Sequence, residues 1–109
     1  MAYTQGSVVV APASFKSGLR PYLIVSNTNR PFHGDRYTVA VITSTRRDPA
    51  ITIGADSLVE GELKEYPSYA SPWSLHVFPH EEITKRVAQV DTETRELVAD
   101  HIRAFTKVL

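Results

Sequence analysis

Short runs of β-branched and aliphatic residues alternate along most of the chain with polar, turn-rich segments. Residues 7–11 (SVVVA), 22–26 (YLIVS) and 37–43 (YTVAVIT) predict three strands. The second and third runs are apolar on both faces, which is typical of central strands. Residues 50–53 (AITI) predict a short fourth strand, and residues 71–78 (SPWSLHVF) predict a fifth.

The remaining segments are less regular until the C-terminus. Residues 54–67 are polar and predict a loop, and residues 80–90 predict a short turn that returns as a strand near 87–90. Asp91 is a favourable N-cap, and carboxylates at Glu93 and Glu96 suit the first turns of a helix. The apolar stripe of this helix, expected to pack on the sheet, consists of Leu97, Val98, Ile102 and Phe105.

Together these elements predict one mainly β domain over residues 1–109, a small barrel or sandwich with a C-terminal helix. A chain of 109 residues is long enough to bury one core without disulfides. It has no cysteine, which removes thiolate chemistry and fits a reducing cytoplasm. Neither a signal peptide nor a run of about 20 apolar residues is recognisable. The formal net charge is zero, so any nucleic-acid contact must use a local basic patch.

Such a patch is predicted where the second and third strands meet. An antiparallel hairpin with its turn centred at Pro31 and Phe32 places Tyr22 opposite Val41, and Arg20 opposite Thr43. Pro21 restricts Arg20 to extended conformations. Hydroxyls, a glycine and four cations surround this corner, and such a set matches phosphate. The cations are Lys16, Arg20, Arg46 and Arg47.

The same residues have an ordinary structural interpretation. An arginine at the edge of a strand is commonly a solvated or ion-paired surface residue. A threonine at the end of a strand is commonly there because it favours extended backbone. From the pattern alone, both interpretations stay open.

Several segments resemble the MazF/PemK family of toxins. The stretch GSVVVAPASFKSGLRPYLIVSN is similar to the opening of that family, with a glycine-led strand, a loop, and an Arg-Pro before an apolar strand. YTVAVITSTRR resembles the next strand, which ends in a hydroxyl residue, and SYASPWSLHVF stands where the family has a strand along its RNA groove. The resemblance extends from Gly6 to about Phe105.

This resemblance implies an SH3-like barrel, a homodimer, and a cytoplasmic, sequence-selective endoribonuclease that needs neither metal nor cofactor. The 2′-hydroxyl of single-stranded RNA would attack the adjacent phosphorus, leaving a cyclic phosphate and a 5′-hydroxyl. Arg20 would be the catalytic arginine, and Thr43 would orient the scissile phosphate. A cognate antitoxin would cover the groove, and no membrane would be involved.

The resemblance also indicates which residues would contact RNA. These are Lys16, Ser17, Gly18, Ser44, Thr45, Arg46, Trp73, Ser74 and His76. Trp73 would stack an unpaired base or belong to the core or dimer interface. His76 would act in proton transfer or be a hydrogen-bonded histidine of the barrel.

Two other functional classes stay open at this point. The neutral charge and the unusual groove strand favour a catalytically inactive SH3-like binding module. A CcdB-like gyrase poison ranks last. That activity depends on aromatic and apolar residues at the extreme C-terminus, and this chain ends in FTKVL, with no terminal tryptophan.

Overall fold

The computed structural model describes residues 2–13 and 17–109, and its main feature is one antiparallel sheet of seven strands. The order β4-β6-β3-β2-β1-β7-β5 curls into a nearly closed barrel followed by a helix. The predicted mainly β barrel with a C-terminal helix is thereby confirmed. The elements are β1 (Ser7–Pro12), β2 (Leu19–Ile24), β3 (Arg36–Thr43), β4 (Ile51–Ile53), β5 (Leu58–Gly61), β6 (Ser68–Pro79), β7 (Lys85–Val90) and α1 (Thr92–Thr106).

The predicted hairpin between the second and third strands is correct in its register. Tyr22 lies opposite Val41, as expected from the position of the turn. The bounds of β2 differ from the prediction of 22–26, because residues 19–21 pair with β1 alone. At the other end, the N–H groups of Val25 and Ser26 both donate to the Thr38 carbonyl, so the regular ladder stops at Ile24.

The prediction of a loop over residues 54–67 was wrong in part. A 3₁₀ turn at Ala55–Ser57 leads directly into β5, which pairs with β7 and forms one edge of the sheet. The sequence of β5 is LVEG; Leu58 is half-buried against the core, and the other three residues are exposed. Backbone pairing with β7 holds β5 in place, and its two adjacent aliphatic residues are too short a run to predict a strand. Residues 80–90 form a 3₁₀ turn, His80–Glu82, and then β7.

Buried side chains form two clusters, one on each face of the curled sheet. Val8, Leu23 and Ile42 belong to the cluster covered by α1. Tyr22, Val39 and Phe78 belong to the cluster on the opposite face. Because side chains alternate along a strand, Arg20 and Thr43 share the second face with Tyr22 and Val41. The hydrophobic core thus fixes the direction in which both predicted catalytic side chains point.

Helix α1 begins at its predicted cap. The Asp91 side chain accepts a hydrogen bond from the Thr94 N–H at 2.8 Å. Hydrogen bonds from Thr94, with a smaller contribution from the Arg95 cation, lower the pKa of Asp91 below its ordinary value. No helix in the described part of the chain is both long and apolar enough to cross a membrane.

The predicted apolar stripe of α1 was only partly correct. Val98 is buried and Ile102 packs against the same cluster, but Leu97 and Phe105 are about half exposed. The buried ridge follows the i, i+4 row that starts at Thr94. Leu97 and Phe105 lie on the flanks of this ridge, so they remain partly in solvent.

Candidate active-site cleft

A cleft opens where β2 and β3 separate. The two strands pair only from Tyr22 to Ile24, although the register would carry the pairing on to Arg20 and Thr43. Pro21 has no N–H group to contribute to a ladder. Instead, the Arg20 side chain reaches across, and its Nε donates a long hydrogen bond of 3.5 Å to the Ile42 carbonyl.

The cleft has a volume of about 340 Å³, within the range of about 300–1,000 Å³ that is usual for ligand pockets. It is therefore large enough for a nucleotide-sized group. Its lining consists of Ala13, Arg20, Tyr22, Val41, Thr43, Arg47, Ser71, Trp73, Ser74 and His76.

Arg20 is oriented by its surroundings without being neutralised by them. It is partly buried, and the bond to Ile42 uses only Nε. A guanidinium has five N–H donors in a fixed fork, and the four donors on its terminal nitrogens make no hydrogen bond to a described residue. No ion pair of the described residues involves Arg20.

Thr43 presents a hydroxyl whose acceptor side is already in use. The Thr45 N–H donates to Thr43 Oγ1 at 3.2 Å, as the chain turns away from the end of β3. The hydroxyl proton can then be donated to another acceptor, such as a phosphate oxygen. Thr43 thus combines with Arg20 to give a set of donors on one wall of the cleft.

A bulge in β6 supplies the opposite wall. Ala40 pairs with Leu75, but the next residue of β3, Val41, pairs with Ser71. The three intervening residues leave the ladder; Pro72 is buried, and Trp73 and Ser74 line the cleft. Bulges commonly redirect side chains in this way beside functional sites.

Trp73 and His76 occupy different environments within this wall. The Trp73 side chain is 42% exposed, and its ring meets the edge of Phe105 with centroids 6.4 Å apart. It belongs neither wholly to the core nor wholly to solvent. The His76 ring packs edge-on against Tyr22 with centroids 6.3 Å apart, and no hydrogen bond of the described residues involves it.

The electrostatic character of the cleft is positive. Arg20 and Arg47 contribute guanidinium groups, and none of the described lining residues is a carboxylate. Within the described residues, no group of three or more His, Cys, Asp or Glu is placed to hold a metal ion. Such a cleft attracts anions although the whole chain has a formal net charge of zero.

The other predicted contact residues lie outside the lining of the cleft. Ser17 and Gly18 are exposed before β2, and Ser44 and Thr45 are exposed after β3. Arg46 is also exposed, with a 3.5 Å ion pair to Asp48. Lys16 lies outside the described residues.

The sequence interpretation did not single out several lining residues. Tyr22 and Val41 were identifiable in principle. Tyr22 follows Arg20 by two residues and Val41 precedes Thr43 by two, so all four lie on the same face of the predicted hairpin. Ser71 and Ala13 carry no comparable signal, since the bulge in β6 and the path of the chain after β1 determine their positions.

Comparisons with known proteins agree with this fold. The model of a family described as "PemK-like, MazF-like toxin of type II toxin-antitoxin system" matches residues 4–106, and the chain belongs to this family. The resemblance inferred from the sequence is thereby confirmed. No curated protein matches the chain in sequence.

Solved structures of mycobacterial proteins share the fold. An endoribonuclease in complex with its cognate antitoxin, from a mycobacterial species, is 17% identical with a TM-score of 0.73, covering 94% of this chain and 91% of that one. The Mycobacterium tuberculosis toxin MazF-mt6 is 20% identical with a TM-score of 0.70, covering 90% and 93%. An endoribonuclease from a mycobacterial species is 19% identical with a TM-score of 0.67, covering 95% and 90%.

Proposed function

We propose that this chain is an endoribonuclease toxin that cleaves single-stranded RNA at selected sequences without a metal ion. The observation that supports it most is the convergence of Arg20 and Thr43 on one cleft that contains no carboxylate among its described lining residues. Membership of the MazF/PemK family and the endoribonuclease neighbours support the same reaction class.

The proposed reaction begins with attack of the 2′-oxygen on the adjacent phosphorus. The P–O5′ bond then breaks, which leaves a 2′,3′-cyclic phosphate and a 5′-hydroxyl. Negative charge develops on the phosphoryl oxygens, and the Arg20 fork and the Thr43 hydroxyl donate hydrogen bonds to them. Donors placed in advance for charge that appears in the transition state usually make the largest catalytic contribution.

The character of the donors supports metal-independent chemistry. Two guanidinium groups face the cleft, and they repel a divalent cation from the site where they attract phosphate. Trp73 offers an aromatic face for an unpaired base, as is common in proteins that bind single strands. The predicted contacts from Ser17, Gly18, Ser44, Thr45 and Arg46 would then follow the strand beyond the cleft.

The partners we propose follow from the same cleft. A cognate antitoxin would occupy it with an acidic, extended segment and exclude RNA. A neighbour that shares this fold is an endoribonuclease in complex with its cognate antitoxin, which supports a partner of this kind. We expect a homodimer and action in the cytoplasm, where messenger RNA is exposed.

The test is cleavage of a long single-stranded RNA in EDTA by the wild-type protein and by Arg20→Ala and Thr43→Val. We expect recurrent short cleavage sequences for the wild type, and a loss of about 10²–10³ in rate for each variant. Arg36→Ala is the matched control, because Arg36 is an exposed arginine at the other end of β3. RNA binding without cleavage by the wild type would instead support an inactive binding module.

A further inference from the structure

The proposed reaction needs a group that accepts the proton of the 2′-hydroxyl. Neither residue of the predicted catalytic pair suits this task. Arginine stays protonated in proteins, and a threonine hydroxyl is a poor base near neutral pH. The inference that follows rests on the proposed function, and it concerns the identity of this proton acceptor.

The other described lining residues leave one candidate. Arg47 is excluded for the same reason as Arg20, and Ser71 and Ser74 for the same reason as Thr43. The Tyr22 hydroxyl is directed away, since it donates to the Pro12 carbonyl at 3.3 Å. His76 remains, and imidazole is the side chain that ordinarily changes protonation between about pH 5 and 8.

The position of His76 suits proton transfer. It lies opposite Val39 in the register of β3 and β6 and therefore on the face that carries the cleft. Contacts with Tyr22 and Phe78, at centroid distances of 6.3 and 6.4 Å, restrict the ring. The side chain is half-buried, and no described residue takes either ring nitrogen in a hydrogen bond. A substrate hydroxyl can therefore reach it.

The charged and titratable groups that line the cleft around His76 are few. From β2 they are Arg20 and the Tyr22 phenol, and from the segment after β3 there is Arg47. The described lining contributes no carboxylate that would pair with an imidazolium. Nothing in this lining therefore ties the ring to a structural ion pair.

We propose that His76 is the general base of the reaction. An unprotonated ring nitrogen removes the 2′-hydroxyl proton as the 2′-oxygen forms its bond to phosphorus. The electron pair of the P–O5′ bond leaves with the 5′-oxygen, which takes a proton from solvent water. The imidazolium then returns its proton to solvent, so no oxidant, reductant or further reactant is required.

The test is single-turnover cleavage in EDTA between about pH 5 and 8 by the wild type, His76→Gln and His101→Gln. His101 is the matched control, because it lies on α1, outside the cleft, and its ring bonds the Leu97 carbonyl of the same helix. For the wild type and His101→Gln we expect a rate that rises with pH and then levels. For His76→Gln we expect a loss of about 10²–10⁴ at the plateau and disappearance of that rise.

A second substrate separates a base from an acid. With sulfur in place of the 5′-oxygen, the leaving thiolate needs no proton, so a missing general acid is compensated and a missing general base is not. We expect His76→Gln to stay slow on this substrate. The affinity of His76→Gln for RNA with a 2′-deoxy residue at the cut site should equal that of the wild type, which separates proton transfer from binding and folding.

Three results would overturn the proposal. An active wild type with an equally active His76→Gln would remove His76 alone and leave the ribonuclease function standing. Restored cleavage of the sulfur substrate by His76→Gln would make His76 the acid. No cleavage by the wild type at stoichiometric protein would overturn both the proposed function and the base.

Discussion

Replacing Arg20 by lysine separates the charge of this residue from its shape. Among the described residues, Arg20 uses only Nε, in the bond to Ile42, and four of its N–H donors make no bond there. Lysine keeps the positive charge but offers three donors on a freely rotating ammonium. We therefore expect Arg20→Lys to hold phosphate in the ground state but to fit the transition state poorly.

The expected magnitude follows from the loss of these oriented donors. Removing one donor aimed at developing charge typically costs about 10²–10³ in rate, or about 2.7–4 kcal/mol. Folding stability should change little, since a hydrogen bond contributes only about 0.5–1.5 kcal/mol and the bond to Ile42 is long at 3.5 Å. The effect should thus fall on the chemical step.

The assay is single-turnover cleavage with excess protein, together with RNA binding measured over a range of salt concentrations. Binding by Arg20→Lys should keep the salt dependence of the wild type. Arg20→Ala should reduce the slope of log K against log salt by about 0.7, the value for one phosphate contact on a single strand. Arg36→Lys serves as the control at an exposed position of β3. Cleavage by Arg20→Lys at the wild-type rate would refute the importance of the planar guanidinium geometry of Arg20.

Three further predictions concern stability and binding. Asp91→Asn keeps a capping side chain but removes the carboxylate, whose contribution is complete above its unfolded pKa of about 3.9. That contribution is lost as the pH falls through the lowered folded pKa. The difference in free energy of unfolding between wild type and variant, measured by urea denaturation, should therefore be present at pH 7 and vanish in acid. A difference that does not change with pH would contradict this. Gly61→Ala forces a residue into φ 74° and places its Cβ 2.8 Å from Ala88 Cα, whereas Gly34→Ala, at φ 99°, meets only Ala2 at 3.5 Å. Gly61→Ala should therefore lower the free energy of unfolding by at least about 1 kcal/mol more than Gly34→Ala does, so its melting temperature should be roughly 4–8 °C lower. Equal melting temperatures would refute the close approach. Trp73→Leu should weaken binding of single-stranded RNA by about 1–3 kcal/mol in fluorescence anisotropy, and unchanged affinity would place the ring outside the RNA path.

The sequence predicted the elements whose apolar pattern is strong. The register of Tyr22 and Val41 was predicted by assuming an antiparallel hairpin with its turn centred at Pro31 and Phe32, and the structure confirms it. The strand β5 was missed because its only apolar residues are the adjacent pair Leu58 and Val59, and backbone pairing to β7 holds it in place. Helix α1 was placed correctly by its cap, but the side on which Leu97 lies depends on how the helix crosses the sheet, and periodicity alone does not determine this.

The candidate site was predictable to a similar degree. Arg20 and Thr43 were placed together by an assumed hairpin register and received their catalytic roles from the family resemblance, and the structure brings both into one cleft. The wall that contains Trp73 depends on a bulge in β6, where three residues leave the ladder. No local pattern marks that bulge, since Pro72 and Ser74 suit a loop as well as a strand. The availability of His76 likewise depends on tertiary neighbours.

The most direct test of the central claim is the chemical identity of the RNA ends after cleavage in EDTA. A short RNA that contains one cleavage site, digested by the wild type and examined by mass spectrometry, gives both ends together. Attack by the 2′-oxygen predicts a 2′,3′-cyclic phosphate upstream and a 5′-hydroxyl downstream, and no cleavage when the nucleotide at the site is 2′-deoxy. A 3′-hydroxyl with a 5′-phosphate, or cleavage of the 2′-deoxy substrate, would contradict attack by the 2′-oxygen and with it the role assigned to the Arg20 and Thr43 cleft.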